Sequence, residues 1–184
     1  SSWDMISQIQ MRKYRFKFNK IASAMATNLE FLDLVASEKL PTFLSTGMTE
    51  LLDIEKALDI FKKYQCELML FHTVSTYPAN EDDLNLKCLK TLKEKFDLPI
   101  GYSGHEVTVS PSIIAASQGA SVIERHITLD RAMYGSDQAA SLQEEGLMQL
   151  TNILRKMPSI LGDGKKKIID DEVKIAKKLR YWNK

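Results

Sequence analysis

Three histidines occur in 184 residues, and all fall near the carboxyl ends of apolar, β-branched runs: His72 in ELMLFHTV, His105 after PIGYSG and His126 in SVIERHI. In parallel α/β proteins that end of a strand carries the functional groups. His105 and His126 would end consecutive strands. Two neutral imidazoles placed so suit a divalent transition metal with positions left open for water and substrate. Strand alternation puts Val122, Glu124 and His126 on one face of SVIERHI, and Ser121, Ile123 and Arg125 on the other. Glu124 would then orient a ligand or a metal-bound water, or else be a carboxylate satisfied by a neighbouring cation.

Lys20 sits within FNKIAS, an otherwise largely apolar run. A lone buried ammonium is costly, so it must lie at an exposed edge or face an anion. Ser23, Ser45, Ser75 and Ser103 close four different runs. Grouped beside a lysine, their hydroxyls could hydrogen-bond a phosphate or carboxylate. Asp137, in YGSDQAAS, lies in a loop that would overhang the same place.

The elements that must position these groups follow from periodicity. Strands are expected at 18–23, 41–46, 67–74, 99–104 and 121–127, and helices at 28–39, 49–64, 82–96, 110–118 and 142–156. In 49–64, Thr49 is a plausible N-cap, and Leu51, Ile54, Leu58 and Phe61 recur along one apolar face. An upstream helix at 5–15 and a strand stump at Ser1 are also expected. Strand–helix units about 25 residues apart imply right-handed crossovers and a parallel sheet. No Gly-x-Gly-x-x-Gly follows a strand, which weighs against a dinucleotide fold. An open doubly wound sheet and the later part of a (β/α)8 barrel both fit, since an intact barrel needs about 250 residues.

Composition narrows the classes further. With 44% hydrophobic and 27% charged residues the chain reads as one globular unit. A formal net charge of +1 suggests neither a nucleic-acid nor an acidic-membrane partner. No apolar run approaches the roughly 20 residues of a membrane span. Cys66 and Cys88 have no metal spacing, so reduced thiols and a cytoplasmic setting are expected. The tail GKKKIIDDEVKIAKKLRYWNK is locally basic and reads as a solvated helix or arm.

Six segments, in order, carry a resemblance: KIAS (20–23), LSTGM (44–48), HTVSTYPANEDDLNL (72–86), GYSGHE (101–106), ERHITLD (124–130) and GSDQAASL (135–142). They resemble the sialic acid synthase (N-acylneuraminate synthase) family. The resemblance implies a partial (β/α)8 barrel in residues 1–162, made of about the last five βα units with parallel strands, and a basic tail over 163–184. It implies condensation of phosphoenolpyruvate with an N-acylated amino-sugar aldehyde to a nonulosonic acid. It implies a divalent metal, manganese or magnesium, on His105 and His126, with Glu124 beside it in the catalytic set. Lys20, Ser23, Ser45, Ser75 and Ser103 match positions that hold phosphoenolpyruvate, and Tyr77 and Asp137 match positions that contact the acceptor. A homodimer is a further expectation.

Two departures stand out. Family members commonly carry an acid facing the sugar where this chain has Met25. Members also have nearly three further βα units upstream, so roughly 80–110 residues are expected to be missing, and the chain alone is expected to be inactive. Two rivals remain: another metal-dependent barrel aldolase or synthase, and a non-catalytic truncated remnant.

Overall fold

The computed structural model describes residues 1–182. Helix α1 (Met5–Met11) leads into five strand–helix units: β1 (Asn19–Ile21), α2 (Leu29–Ser37), β2 (Thr42–Ser45), α3 (Leu51–Tyr64), β3 (Leu68–Thr73), α4 (Cys88–Phe96), β4 (Ile100–Gly104), α5 (Ser110–Ser117), β5 (Ile123–Arg125) and α6 (Glu144–Leu161). A last helix, α7 (Asp170–Leu179), has no buried residue. No described helix is long and apolar enough to cross a membrane.

Local chemistry sets where each helix begins and stops. Asn28 caps α2, its side chain accepting from the Phe31 N–H at 3.1 Å. Ile54, Ala57, Leu58 and Phe61 bury one face of α3, which ends at Gln65 in the left-handed region (φ 53°) with Lys62 and Lys63 in its last turn. Thr49 does not cap α3. Its hydroxyl donates to the Thr46 carbonyl at 2.7 Å, and Glu50 enters the helix with its N–H on Asp53 Oδ2 at 3.1 Å. The helix expected over 82–96 starts only at Cys88, because Glu81–Asp83 form a 3₁₀ turn behind Asn80. The stump expected at Ser1 is not a strand.

All strand pairs are parallel and the spatial order is β1-β2-β3-β4-β5. Each strand lies beside its successor in the chain, so there is no reversal of order. A doubly wound sheet requires one, and that alternative falls. The sheet is instead curled into part of a barrel. Strands four places apart in a flat sheet would be about 19 Å from one another, yet Lys20 of β1 and Glu124 of β5 approach to 3.3 Å.

The register sorts side chains cleanly. Ile21, Leu44, Leu70 and Ile100 form one row across the sheet on its convex face. They pack with Phe31, Leu32, Phe61, Leu89 and Ala115 of the surrounding helices into the main core. The opposite, concave face carries Phe43 and Phe71, whose ring centroids lie 5.6 Å apart, and Phe18 stands edge-on to Phe43 at 5.1 Å. Beyond β5, the Leu142 N–H donates to the His126 carbonyl (2.8 Å) and the Thr128 N–H to the Leu142 carbonyl (2.9 Å), a single parallel bridge in the next barrel position.

Candidate active site

A cavity of about 640 Å³ opens where the strands end. Its wall includes Lys20, Ser23 and Ser45 from the β1–β2 side, Tyr77 after β3, Ser103 and His105 from β4, Glu124 and His126 from β5, and Asp137 from the following loop. All the expected site residues except Ser75 therefore line one space. Trp3, Arg125 and Ser136 line it too, none of them singled out in the sequence as a site residue.

Lys20 does not sit at an exposed edge. Its ammonium donates to Ser45 Oγ at 2.9 Å and pairs with Glu124 Oε1 at 3.3 Å, an oxygen that also accepts from Ser103 Oγ at 2.8 Å. The Glu124 carboxylate is thus paired with a neighbouring cation and at the same time faces the cavity. The result is one cation and several hydroxyls facing a common opening, an arrangement suited to a small anion.

Gly47 shows how tightly this end is packed. A Cβ there would lie 2.1 Å from Ser75 Oγ and 2.8 Å from Ser23 Oγ, so only glycine lets the loop after β2 pass. Ser23 Oγ accepts from the Gly47 N–H at 3.0 Å. Ser75 Oγ is buried behind that loop, does not line the cavity, and has no hydrogen-bond partner among the described residues. Met25, at the position where an acid was expected, is 9% exposed and belongs to the core.

The imidazoles of His105 and His126 have ring centroids 5.2 Å apart at 76°, with the Tyr77 ring 4.2 Å from the first and 5.6 Å from the second. His105 Nδ1 lies 2.7 Å from the Val74 carbonyl. A carbonyl only accepts, so Nδ1 carries the proton and Nε2 keeps its lone pair. Burial holds the His105 pKa below the usual imidazole value, partly opposed by the bond to the Val74 carbonyl. His126 Nδ1 faces Asp137 Oδ2 at 3.5 Å. Imidazoles whose Nδ1 atoms are turned to a carbonyl and a carboxylate are prepared as metal ligands through their other nitrogens. Among the described residues no group of three or more His, Cys, Asp or Glu gathers for a metal. The two imidazoles supply the nitrogens that could hold a cation here.

His72 departs from its expected role. It lies in the buried part of β3 with Nε2 2.7 Å from the Leu84 carbonyl, and burial lowers its pKa. It takes no part in the cavity. A second cavity, of about 590 Å³, lies at the opposite end of β1. Its carboxylate, Glu38, is already taken by Arg12 (2.8 Å), Gln8 (2.9 Å) and Asn19 (2.9 Å).

A family model described as the NeuB family matches residues 1–166. The chain is 39% identical over 166 residues to an N,N'-diacetyllegionaminic acid synthase of Legionella pneumophila, covering 88% of this chain and 47% of that protein. It is 32% identical over 180 residues to the N-acetylneuraminate-9-phosphate synthase of Homo sapiens, covering 97% and 50%. Among solved structures, an N-acetylneuraminic acid synthetase from Leptospira borgpetersenii in complex with citrate superposes with a TM-score of 0.85 at 34% identity, over 97% of this chain and 64% of that one. The chain spans about half the length of the curated relatives it matches.

Proposed function

This chain belongs to the NeuB family, and from that premise we propose that the protein it comes from joins phosphoenolpyruvate to an N-acylated amino-sugar aldehyde, giving a nonulosonic acid and phosphate. The observation that carries this reading is the meeting of the Lys20–serine pocket and the His105–His126 pair in one cavity. The relatives named as legionaminic acid and N-acetylneuraminate-9-phosphate synthases support it.

In the reaction, C3 of the enol phosphate attacks the aldehyde carbon and forms the new bond. The aldehyde oxygen gains a proton, water adds to C2, and the C2–O bond breaks with phosphate leaving. Lys20, with the hydroxyls of Ser23, Ser45 and Ser103, would hold the anionic ends of phosphoenolpyruvate. Oε1 of Glu124 is committed to Ser103 and Lys20, so the carboxylate would hold the ammonium in the cavity, and Oε2 would be the group to take a proton from the attacking water. Tyr77 and Asp137 would contact the acceptor from the rim. His105 and His126 would hold a divalent cation, manganese or magnesium, that supplies Lewis acidity towards the aldehyde oxygen. A homodimer and a cytoplasmic setting accompany this reading.

In the whole protein, His105→Ala and His126→Ala should each abolish metal-dependent phosphate release from phosphoenolpyruvate in the presence of N-acylated amino-sugar aldehydes. Normal turnover in both would remove the metal assignment. Product analysis with pyruvate in place of phosphoenolpyruvate separates a synthase from an aldolase, since a synthase leaves pyruvate untouched.

A further inference from the structure

One buried charge pair has no role in the reaction proposed above, although Arg125 borders the cavity. Arg125 and Glu106 have side chains 2% and 0% exposed, with Arg125 Nη1 3.0 Å from Glu106 Oε1. The Tyr102 hydroxyl donates to Glu106 Oε2 at 2.8 Å, and Ser112 Oγ to Oε1 at 3.3 Å. Arg125 donates further to the Thr108 carbonyl at 2.8 Å, to Ser112 Oγ at 3.1 Å and to the carbonyl of Glu106 itself. A Cβ on Gly104 would lie 2.7 Å from both carboxylate oxygens, so the carboxylate is packed directly against that backbone. Desolvation offsets most of what such a pair could add to stability, so net stability is a weak explanation for it.

Its place in the chain supplies a better one. Glu106 follows His105, and Arg125 precedes His126. The β4–β5 ladder ends at the Gly104↔Arg125 pair, leaving both histidines just past the last pair of the register. The backbone bonds they do make run elsewhere: the His105 carbonyl accepts from Ala79 and the His126 carbonyl from Leu142. Neither joins one histidine to the other. We propose that the Glu106–Arg125 pair is a positioning clamp that bridges β4 and β5 beyond their ladder and sets the separation of the His105 and His126 imidazoles. The pair touches no reacting group; it acts through the two histidines. The metal consequence rests on the reading that these imidazoles share one cation.

The test uses the full chain, free of metal and then titrated with Co²⁺. Only three histidines are present, which makes their ring protons readily assignable by NMR. The parent should show a nuclear Overhauser contact between the His105 and His126 rings. Arg125→Lys keeps the charge but loses the two-pronged donor, and the double variant Glu106→Leu with Arg125→Met removes both charges without stranding either. In whichever variant melts cooperatively, that contact should disappear and Co²⁺ affinity should fall about 10- to 100-fold. A folded variant that keeps the parent's contact and affinity overturns the clamp, as does a parent without the contact. If the contact depends on the pair but the parent binds no Co²⁺, the clamp stands and the metal reading falls.

Discussion

The two ion pairs that meet β5 lie on opposite faces of one short strand, and they have opposite characters. Glu124 points to the concave side and pairs with Lys20, with side chains 38% and 17% exposed; Arg125 points to the convex side and pairs with Glu106, with side chains 2% and 0% exposed. The first is an open, rearrangeable pair whose cation could exchange its carboxylate for a ligand anion. The second is closed, and nearly every polar atom is committed; among the described residues, the Arg125 Nε alone of this pair lacks a partner. A parallel strand under helices thus separates a charge buried under the helices from one that faces the cavity by a single residue, because successive side chains face opposite ways.

Removing a partner should therefore hurt most on the convex side. Glu106→Ala leaves the Arg125 guanidinium buried without its counter-charge, and should cost about 3–5 kcal/mol. Urea melts would read it as a lowered midpoint. A loss below about 1 kcal/mol would mean that water or rearrangement reaches Arg125, and that the two faces are less different than described.

Gly47→Ala tests the concave end without touching a charge. The new methyl would fall on Ser75 Oγ and Ser23 Oγ, and overpacking of this kind costs about 1–3 kcal/mol. The double variant Gly47→Ala with Ser75→Ala should recover part of the loss, because the nearest atom, Ser75 Oγ, is then gone. Equal stability of the parent and Gly47→Ala would show that the loop after β2 can move away.

How much of this contrast was legible in the sequence depends on which signal was available. Alternation in SVIERHI placed Glu124 and His126 on one side and Arg125 on the other, and the structure agrees. The run ELMLFHTV has no alternation, being covered on one face by helices and lined on the other by Phe71 and its neighbours. Nothing in it told which way His72 would turn, and it turned to the core. Glu106 had no signal either, since it lies past β4 and is buried only because Arg125, Tyr102 and Ser112 converge on it from three elements. Element positions were readable from periodicity. The start of α4 was not, because Asn80 initiates a 3₁₀ turn that takes up the first residues of the expected helix. Barrel against open sheet was undecidable from spacing and needed the strand order.

His72 offers a pH test of the convex side. Burial lowers its folded-state pKa below the ordinary imidazole value, so below about pH 6.5 the unfolded chain binds the extra proton more readily. The stability tied to the neutral ring is thus intact above that pH and is lost as pH falls through the folded-state pKa. His72→Gln keeps a donor for the Leu84 carbonyl and should flatten the slope of stability against pH between about 6.5 and 5. An unchanged slope would assign the acid sensitivity to other groups, His105 first, because burial depresses it in the same direction.

The smallest stability effect should come from Glu124→Gln, where the concave pair is broken. A partly exposed pair contributes about 1 kcal/mol or less, and glutamine can still accept from Ser103. Anion binding should move in the other direction from stability. With the carboxylate neutralised, Lys20 keeps Ser45 but loses its competing anion, so inorganic phosphate or phosphoenolpyruvate should bind more tightly, by several-fold at low salt and less at high salt. Isothermal titration of the parent and variant at two salt concentrations reads this directly. Turnover should fall even as binding tightens, because the variant has no carboxylate to take the proton of the attacking water. Weaker anion binding in Glu124→Gln would mean that Glu124 holds Lys20 in its binding geometry more than it competes for it. The concave pair would then be as structural as the convex one, and the distinction between the two faces would rest on burial alone.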